Sequence, residues 1–190
     1  MRILALLILT VPNVAAPAVI EQAIIGGQPQ MVMEEGRPTM CGLRLVAQPT
    51  TFRDPKSPKV FMLDTSLVMG REGLVLVKGF GLEATPDDLA KADFKKVRLS
   101  TLWFKPEGSR ATQPLEGKTL LGDDGVALMY ADQATFQVYT NFLNSVLNGL
   151  NLTIGFRLSP ASDERIISGI VTLSESDMAS FMRCNSELVE

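Results

Sequence analysis

Two apolar runs, Val60 to Met69 and Gly73 to Gly79, are separated by only Gly70-Arg71-Glu72. A link that short joins antiparallel neighbours, because a parallel pair needs a crossover of a dozen residues or more. Leu74-Val75-Leu76-Val77 is apolar at every position, which suits a strand covered on both faces. The same constraint recurs downstream. Leu152, Ile154, Phe156 and Leu158 alternate strictly, as a half-buried strand does, and Ser159 to Glu164 leads into a second strand from Arg165 to Leu173. Gly42 to Gln48 and Val97 to Phe104 add two strand segments, with Pro49 to Pro58 a Pro-punctuated loop between elements. Lys118 to Leu121 and Val126 to Tyr130 flank Gly122-Asp123-Asp124-Gly125, whose residue types favour a hairpin turn.

Three segments change to a helical period. Thr85-Pro86-Asp87-Asp88 is a helix start, with a capping hydroxyl, a proline at the first turn and two carboxylates at the positive end of the dipole. From Gln133 to Asn148 the period changes: Phe136, Tyr139, Phe142, Leu143, Val146, Leu147 and Leu150 recur three or four apart and form one stripe, with Asn148-Gly149 as its stop. Ser174 to Asp177 caps a closing helix striped by Met178, Phe181, Met182 and Leu188. Strands at hairpin distance with few helices predict an α+β fold: a mainly antiparallel sheet, sandwich-like or singly curved, covered by two or three helices.

The N-terminus reads as an export signal. Met1-Arg2 is positive, Ile3 to Val11 is almost wholly apolar, and Ala16-Pro17-Ala18 offers small residues where a signal peptidase cuts. Cleavage after Ala18 is favoured over Ala15 or Ala16, and the run is shorter than the roughly 17–25 apolar residues that span a bilayer. Residues 1–18 are therefore expected to be a signal peptide. Beyond the cleavage site, Gly26-Gly27, Pro29 and Pro38 break any period, so 19–40 reads as an irregular leader ahead of one globular α+β domain, 41–190.

Export changes the meaning of the two cysteines. Cys41 and Cys184 are the full complement, and an even count in an oxidising compartment favours a disulfide. The bridge would close most of the domain into one loop, worth up to about 5 kcal/mol in the chain-entropy model. No Cys-x-x-Cys spacing suggests redox turnover.

Much chemistry is excluded or unsupported. The chain has no His, which removes the commonest neutral-pH base and metal ligand, and with it any Ser-His-Asp or Cys-His mechanism. No serine has Lys three residues on, so a Ser-x-x-Lys nucleophile is also missing. Ile24-Ile25-Gly26-Gly27 has the look of a mature trypsin-like N-terminus, a coincidence without His. Gly79-Phe80-Gly81-Leu82-Glu83-Ala84 fits a dinucleotide fingerprint, but its helix begins at Thr85-Pro86, after the motif instead of within it. Asp123-Asp124 lacks the alternating ligands of a calcium loop. Asn151-Leu152-Thr153 is a glycosylation sequon that matters only in a host that glycosylates exported proteins. Trp103 reads as core, with an interface position as the alternative.

Net charge is −3, and the basic clusters Arg53/Lys56/Lys59 and Lys91/Lys95/Lys96/Arg98 are interspersed with Asp or Ser, so neither nucleic acid nor anionic lipid is an expected partner. No membrane span is expected once the signal is removed. No catalytic, cofactor-binding or metal-binding residue is assigned. The leading reading is an exported, periplasmic or secreted, non-enzymatic protein that binds a protein partner in the cell envelope. The alternatives are a small-ligand binder with a pocket between sheet and helices, and a His-independent hydrolase using two carboxylates.

Overall fold

A two-residue turn organises the start of the chain. Glu35 and Gly36 have φ of 50° and 80°, the positive pair that a type I′ hairpin requires. They join β1 (Ile20–Glu34) to β2 (Arg37–Pro49), whose register runs from Ala23 opposite Pro49 to Glu34 opposite Arg37. The computed structural model describes residues 19–50, 59–91, 93–112, 125–132 and 136–189. The proposed signal peptide with Ala18, the Lys118–Leu121 segment and Gly122 to Asp124 lie outside them.

β1 corrects the expectation of an irregular leader over 19–40. Inward-facing Ile25 and Gly27 are buried, while Gln22 and Ile24 face outward. The glycines and Pro29 that interrupt the apolar count all sit within a paired strand.

The remaining elements are β3 (Val60–Gly70), β4 (Val75–Ala84), α1 (Pro86–Ala90), β5 (Lys95–Val97), β6 (Thr101–Pro106), β7 (Leu128–Asp132), α2 (Phe136–Leu147), β8 (Asn151–Arg157), β9 (Arg165–Thr172) and α3 (Glu175–Val189). One nine-stranded sheet has the order β5-β4-β3-β2-β1-β9-β8-β6, with β7 also paired to β4. Among the described residues every pairing is antiparallel except β1 with β9, where Ile20 lies beside Ile166 and Gly26 beside Thr172. Val97 to Phe104, read as one strand, is two. β5 pairs with β4 and β6 with β8, so Arg98 to Ser100 crosses between opposite ends of the strand order.

That crossing requires curvature, and the core shows it. β3 and β8 are four strand spacings apart, roughly 19 Å in a flat sheet. Yet the rings of Phe61 on β3 and Phe156 on β8 stack with centroids 5.3 Å apart. The sheet is curled into a half-barrel. Two glycines of β4 allow its inner wall to close: a Cβ on Gly79 would stand 2.8 Å from Leu102 Cδ2, and one on Gly81 would stand 2.7 Å from Phe61 Cε2. The Gly-x-Gly match is thus a site of close packing within an antiparallel strand.

The fold is α+β with the sheet dominant, and of its helices only the two longer ones place side chains in the core. α1 is five residues long and is capped as its sequence suggests, with the Thr85 main-chain N–H donating to Asp88 Oδ2 at 2.9 Å and the Asp88 N–H to Thr85 Oγ1 at 3.2 Å. α2 puts Tyr139, Phe142 and Val146 into the concave side, and α3 lies against β1 and β2 with Phe181 in the same core. Cys41 and Cys184 are at disulfide distance with Cα atoms 5.8 Å apart, and Leu188 and Met69 pack around them. Among the described residues, no helix is long and apolar enough to cross a membrane.

Candidate interaction surface

Side-chain alternation sorts each strand into an inner and an outer row. On β9 the inner row begins with Arg165. Its guanidinium carbon lies 4.9 Å from the Phe61 centroid and 5.6 Å from that of Phe156, and Nη2 is 3.8 Å from Glu21 Oε1. Burial pulls this guanidinium below its ordinary value, and the charges of Glu21 and Glu83 oppose that. Glu83 in turn pairs with Lys59 at 3.4 Å. Cation, rings and carboxylates from β1, β3, β4, β8 and β9 so meet at one mouth of the half-barrel. This is an ion pair set against aromatic faces, which stabilises the curl.

The outer rows of β1 and β9 are different in kind. On β1 they carry Ile20, Gln22, Ile24, Gly26 and Gln28, and on β9 Ile166, Ser168, Ile170 and Thr172, with no charged residue. Ile24 is 66% exposed, Ile20 56% and Ile170 48%. Val46 and Gln48 on β2 and Thr153 on β8 extend the uncharged area on either side. Hydroxyls tie the strands together, Thr172 Oγ1 donating to the Ile25 carbonyl at 3.0 Å and Thr153 Oγ1 standing 3.1 Å from Ser168 Oγ. Among the described residues, charge begins only at the margins, with Arg44 on one side and Arg157 and Glu164 on the other.

Beyond Arg44 the outer face carries charged groups. Arg44, Ser66 and Lys78 stand opposite one another across β2, β3 and β4. Arg44 Nε donates to Asp64 Oδ1 at 3.0 Å and Oδ2 at 3.2 Å, and Nη2 closes a short second contact to Oδ2. Hydrogen bonding to Asp64 raises the Arg44 guanidinium above its ordinary value against the opposing effect of burial, and the carboxylate's charge adds to the rise. Lys96 of β5 reaches over the Phe80 ring, 5.1 Å from its centroid. These groups, with Gln30, line an open hollow of about 240 Å³.

The residues singled out in the sequence have separate fates. Cys41 and Cys184 come together. Trp103 lies across Gly155 on the outer face of its neighbouring strand, half-buried, and its Nε1 donates to Glu164 Oε1 at 3.0 Å. Asn151 is exposed at the start of β8, with its amide donating to Glu107 Oε2 at 3.3 Å. Asp88 is a capping residue, held below the usual carboxylate range by its hydrogen bonds from Thr85. The isoleucine face escapes the sequence pattern. Its signal is the spacing of Ile20 and Ile24 on one side and Ala23 and Ile25 on the other, obscured by the adjacent glycines.

Among the described residues no three His, Cys, Asp or Glu side chains converge on a common point. The space between helices and sheet, where a small ligand was the alternative expectation, is filled by Phe104, Tyr139, Phe142, Phe156 and Phe181, each under 2% exposed. What the outer surface offers is a broad uncharged face, isoleucines interspersed with glutamine, serine and threonine, beside a hollow lined by Arg44, Asp64, Lys78 and Lys96. Comparison with protein-family models, with curated proteins and with solved structures finds no match to this chain.

Proposed function

We propose that the chain is an exported protein that works outside the cytoplasm without catalysis, by binding a protein partner through the isoleucine-bearing face of β1 and β9. The observation that carries this reading is the uncharged stretch across the outer rows of these strands, with large isoleucines exposed and charges confined to its edges. Charge depletion at the centre with a charged rim is the composition of a protein–protein interface, and large isoleucines gathered on one exposed face suit such a contact. The occupant is a protein with an equally uncharged, apolar patch, because a charged partner would lose hydration there without gaining an ion pair. Export is supported by the N-terminal signal pattern and by a cysteine pair suited to an oxidising compartment.

Photo-crosslinking amino acids placed singly at Ile24, at Ile170 and at exposed Ala179 on α3 test the assignment in envelope fractions of the native host. The first two positions are expected to give an adduct of one mass, and Ala179 none. Adding Ile24→Lys to the Ile170 probe should abolish that adduct without moving the melting temperature. Equal labelling at all three positions, no labelling, or an adduct of two copies of this chain overturns the proposal.

A further inference from the structure

We infer, resting on the protein partner proposed above, that the open edge of β1 from Pro29 to Met33 takes an extended, uncharged segment of that partner as an added strand. The ladder fixes which way each main-chain group points. The Thr50 N–H donates to the Gln22 carbonyl at 2.8 Å, so Gln22 and the even-numbered residues after it turn their N–H and C=O groups toward β2. Odd-numbered residues turn theirs the other way, as the Ile25 carbonyl does in accepting from Thr172 Oγ1 on β9. The register shift beyond Val32 is taken up by Thr39 of β2, so the alternation along β1 continues to Met33. β9 accompanies β1 only as far as Gly26 beside Thr172, and the chain then leaves for α3. β1 runs on to Glu34 with β2 on one side and, among the described residues, no strand on the other. Met31 and Met33, 46% and 52% exposed, stand on that open stretch.

A row of outward main-chain groups is matched by another extended backbone. Pro29 narrows the choice. It has no N–H, so the edge offers carbonyls at Pro29, Met31 and Met33 but N–H groups at Met31 and Met33 alone. A second copy would bring the same excess of acceptors and leave carbonyls unpaired, one way in which natural edges resist self-pairing. A segment of another protein with an unbroken run of N–H groups satisfies them. Its side chains would alternate between Gln28 and Val32 on the outer face and Met31 on the inner one, none of them charged. Uncharged residues therefore suit both of its rows. The outer row here continues the one that carries Ile20 and Ile24, so a single partner reaches both.

The photo-crosslinking probe at Ile24 captures the partner without touching this edge. Amide hydrogen exchange, read by mass spectrometry on the free chain and on the purified adduct, then tests the pairing. In the free chain the N–H groups of Met31 and Met33 should exchange fast and those of Gln30 and Val32 slowly. In the adduct the first two should become slow as well. Met31→Pro deletes an N–H that points away from β2, so it keeps the ladder, and it should cut the yield of the Ile24 adduct by at least about tenfold. Met31→Ala retains the N–H and should leave the yield as it is. Slow Met31 and Met33 amides in the free chain, or fast ones in the adduct, overturn the inference and leave the partner standing. So does an adduct that forms equally with Met31→Pro. Equal loss with Met31→Ala assigns the contact to the thioether and overturns it too. No adduct, or an adduct of two copies, removes the partner and the added strand together.

Discussion

Tyr139 donates its phenolic hydroxyl to the main-chain carbonyl of Cys41 across 2.8 Å, with both residues buried. The same Cys41 meets Cys184 of α3 through its side chain. Both longer helices are therefore fastened to one residue of β2, α2 by a hydrogen bond and α3 by sulfur.

Tyr139→Phe leaves the Cys41 carbonyl without its donor and should lower stability by about 1–3 kcal/mol in urea denaturation. The same phenol makes stability depend on pH. Burial pushes the Tyr139 phenol up from its ordinary value, so the folded state disfavours the phenolate while the unfolded chain ionises near pH 10. The contribution is fully present below pH 10 and is lost as pH rises from there toward the folded value. The gap between parent and Tyr139→Phe should accordingly narrow above pH 10. A gap that stays constant would show that the phenol does not sense its burial.

Removal of both sulfurs in Cys41→Ala/Cys184→Ala should cost about 2–5 kcal/mol, since the bridge spans 143 positions of sequence. In the parent, alkylation should occur only after reduction, as read by intact mass. Two thiols that alkylate freely in protein recovered from outside the cytoplasm would contradict the pairing.

Arg165→Ala should destabilise by roughly 2–3 kcal/mol, less than a fully buried pair because Glu21 keeps some contact with water. Arg165→Lys should recover less than half of that. An ammonium keeps the charge but cannot lay a planar group along Phe61 and Phe156. Equal urea midpoints for the parent and the Lys variant would assign the effect to charge alone.

Gly155→Ala forces a methyl group into the space taken by the Trp103 indole. The expected cost is about 1–3 kcal/mol. Trp103 is the chain's one tryptophan, so its fluorescence isolates the event: emission should shift to the red as the ring lifts toward water and leaves Glu164. Unchanged emission would mean that the indole does not rest on Gly155.

What could be read from the sequence was what local pattern determines. The hairpin of β3 and β4 follows from the short link between them, Arg71 to Leu74, the α2 stripe from Phe136 to Leu147 has the helical period, and Thr85 to Asp88 contains its own cap. β1 was hidden because its evidence is distant: Gly26, Gly27 and Pro29 dilute its apolar character, and its partner β9 lies at the far end of the chain. The split of Val97 to Phe104 was invisible for a related reason. Both halves favour extended backbone, and only sheet curvature sends them to opposite edges. The two outer-surface features were hidden for the same cause. Arg44, Ser66 and Lys78 become neighbours, and Ile24 and Ile170 share a face, only once strand order and register are fixed.

The parallel pairing of Ile20 with Ile166 has a consequence in time. The first strand waits for nearly the last, so synthesis cannot deliver a finished wall of the half-barrel in stages. Contacts this remote in sequence form slowly. Until β9 arrives, one edge of β1 stands unpaired, and a strand edge beside bare isoleucines is prone to join the wrong chain. The emerging polypeptide should therefore depend on a holding chaperone most heavily just before β9 and α3 are released, and much less once they are free.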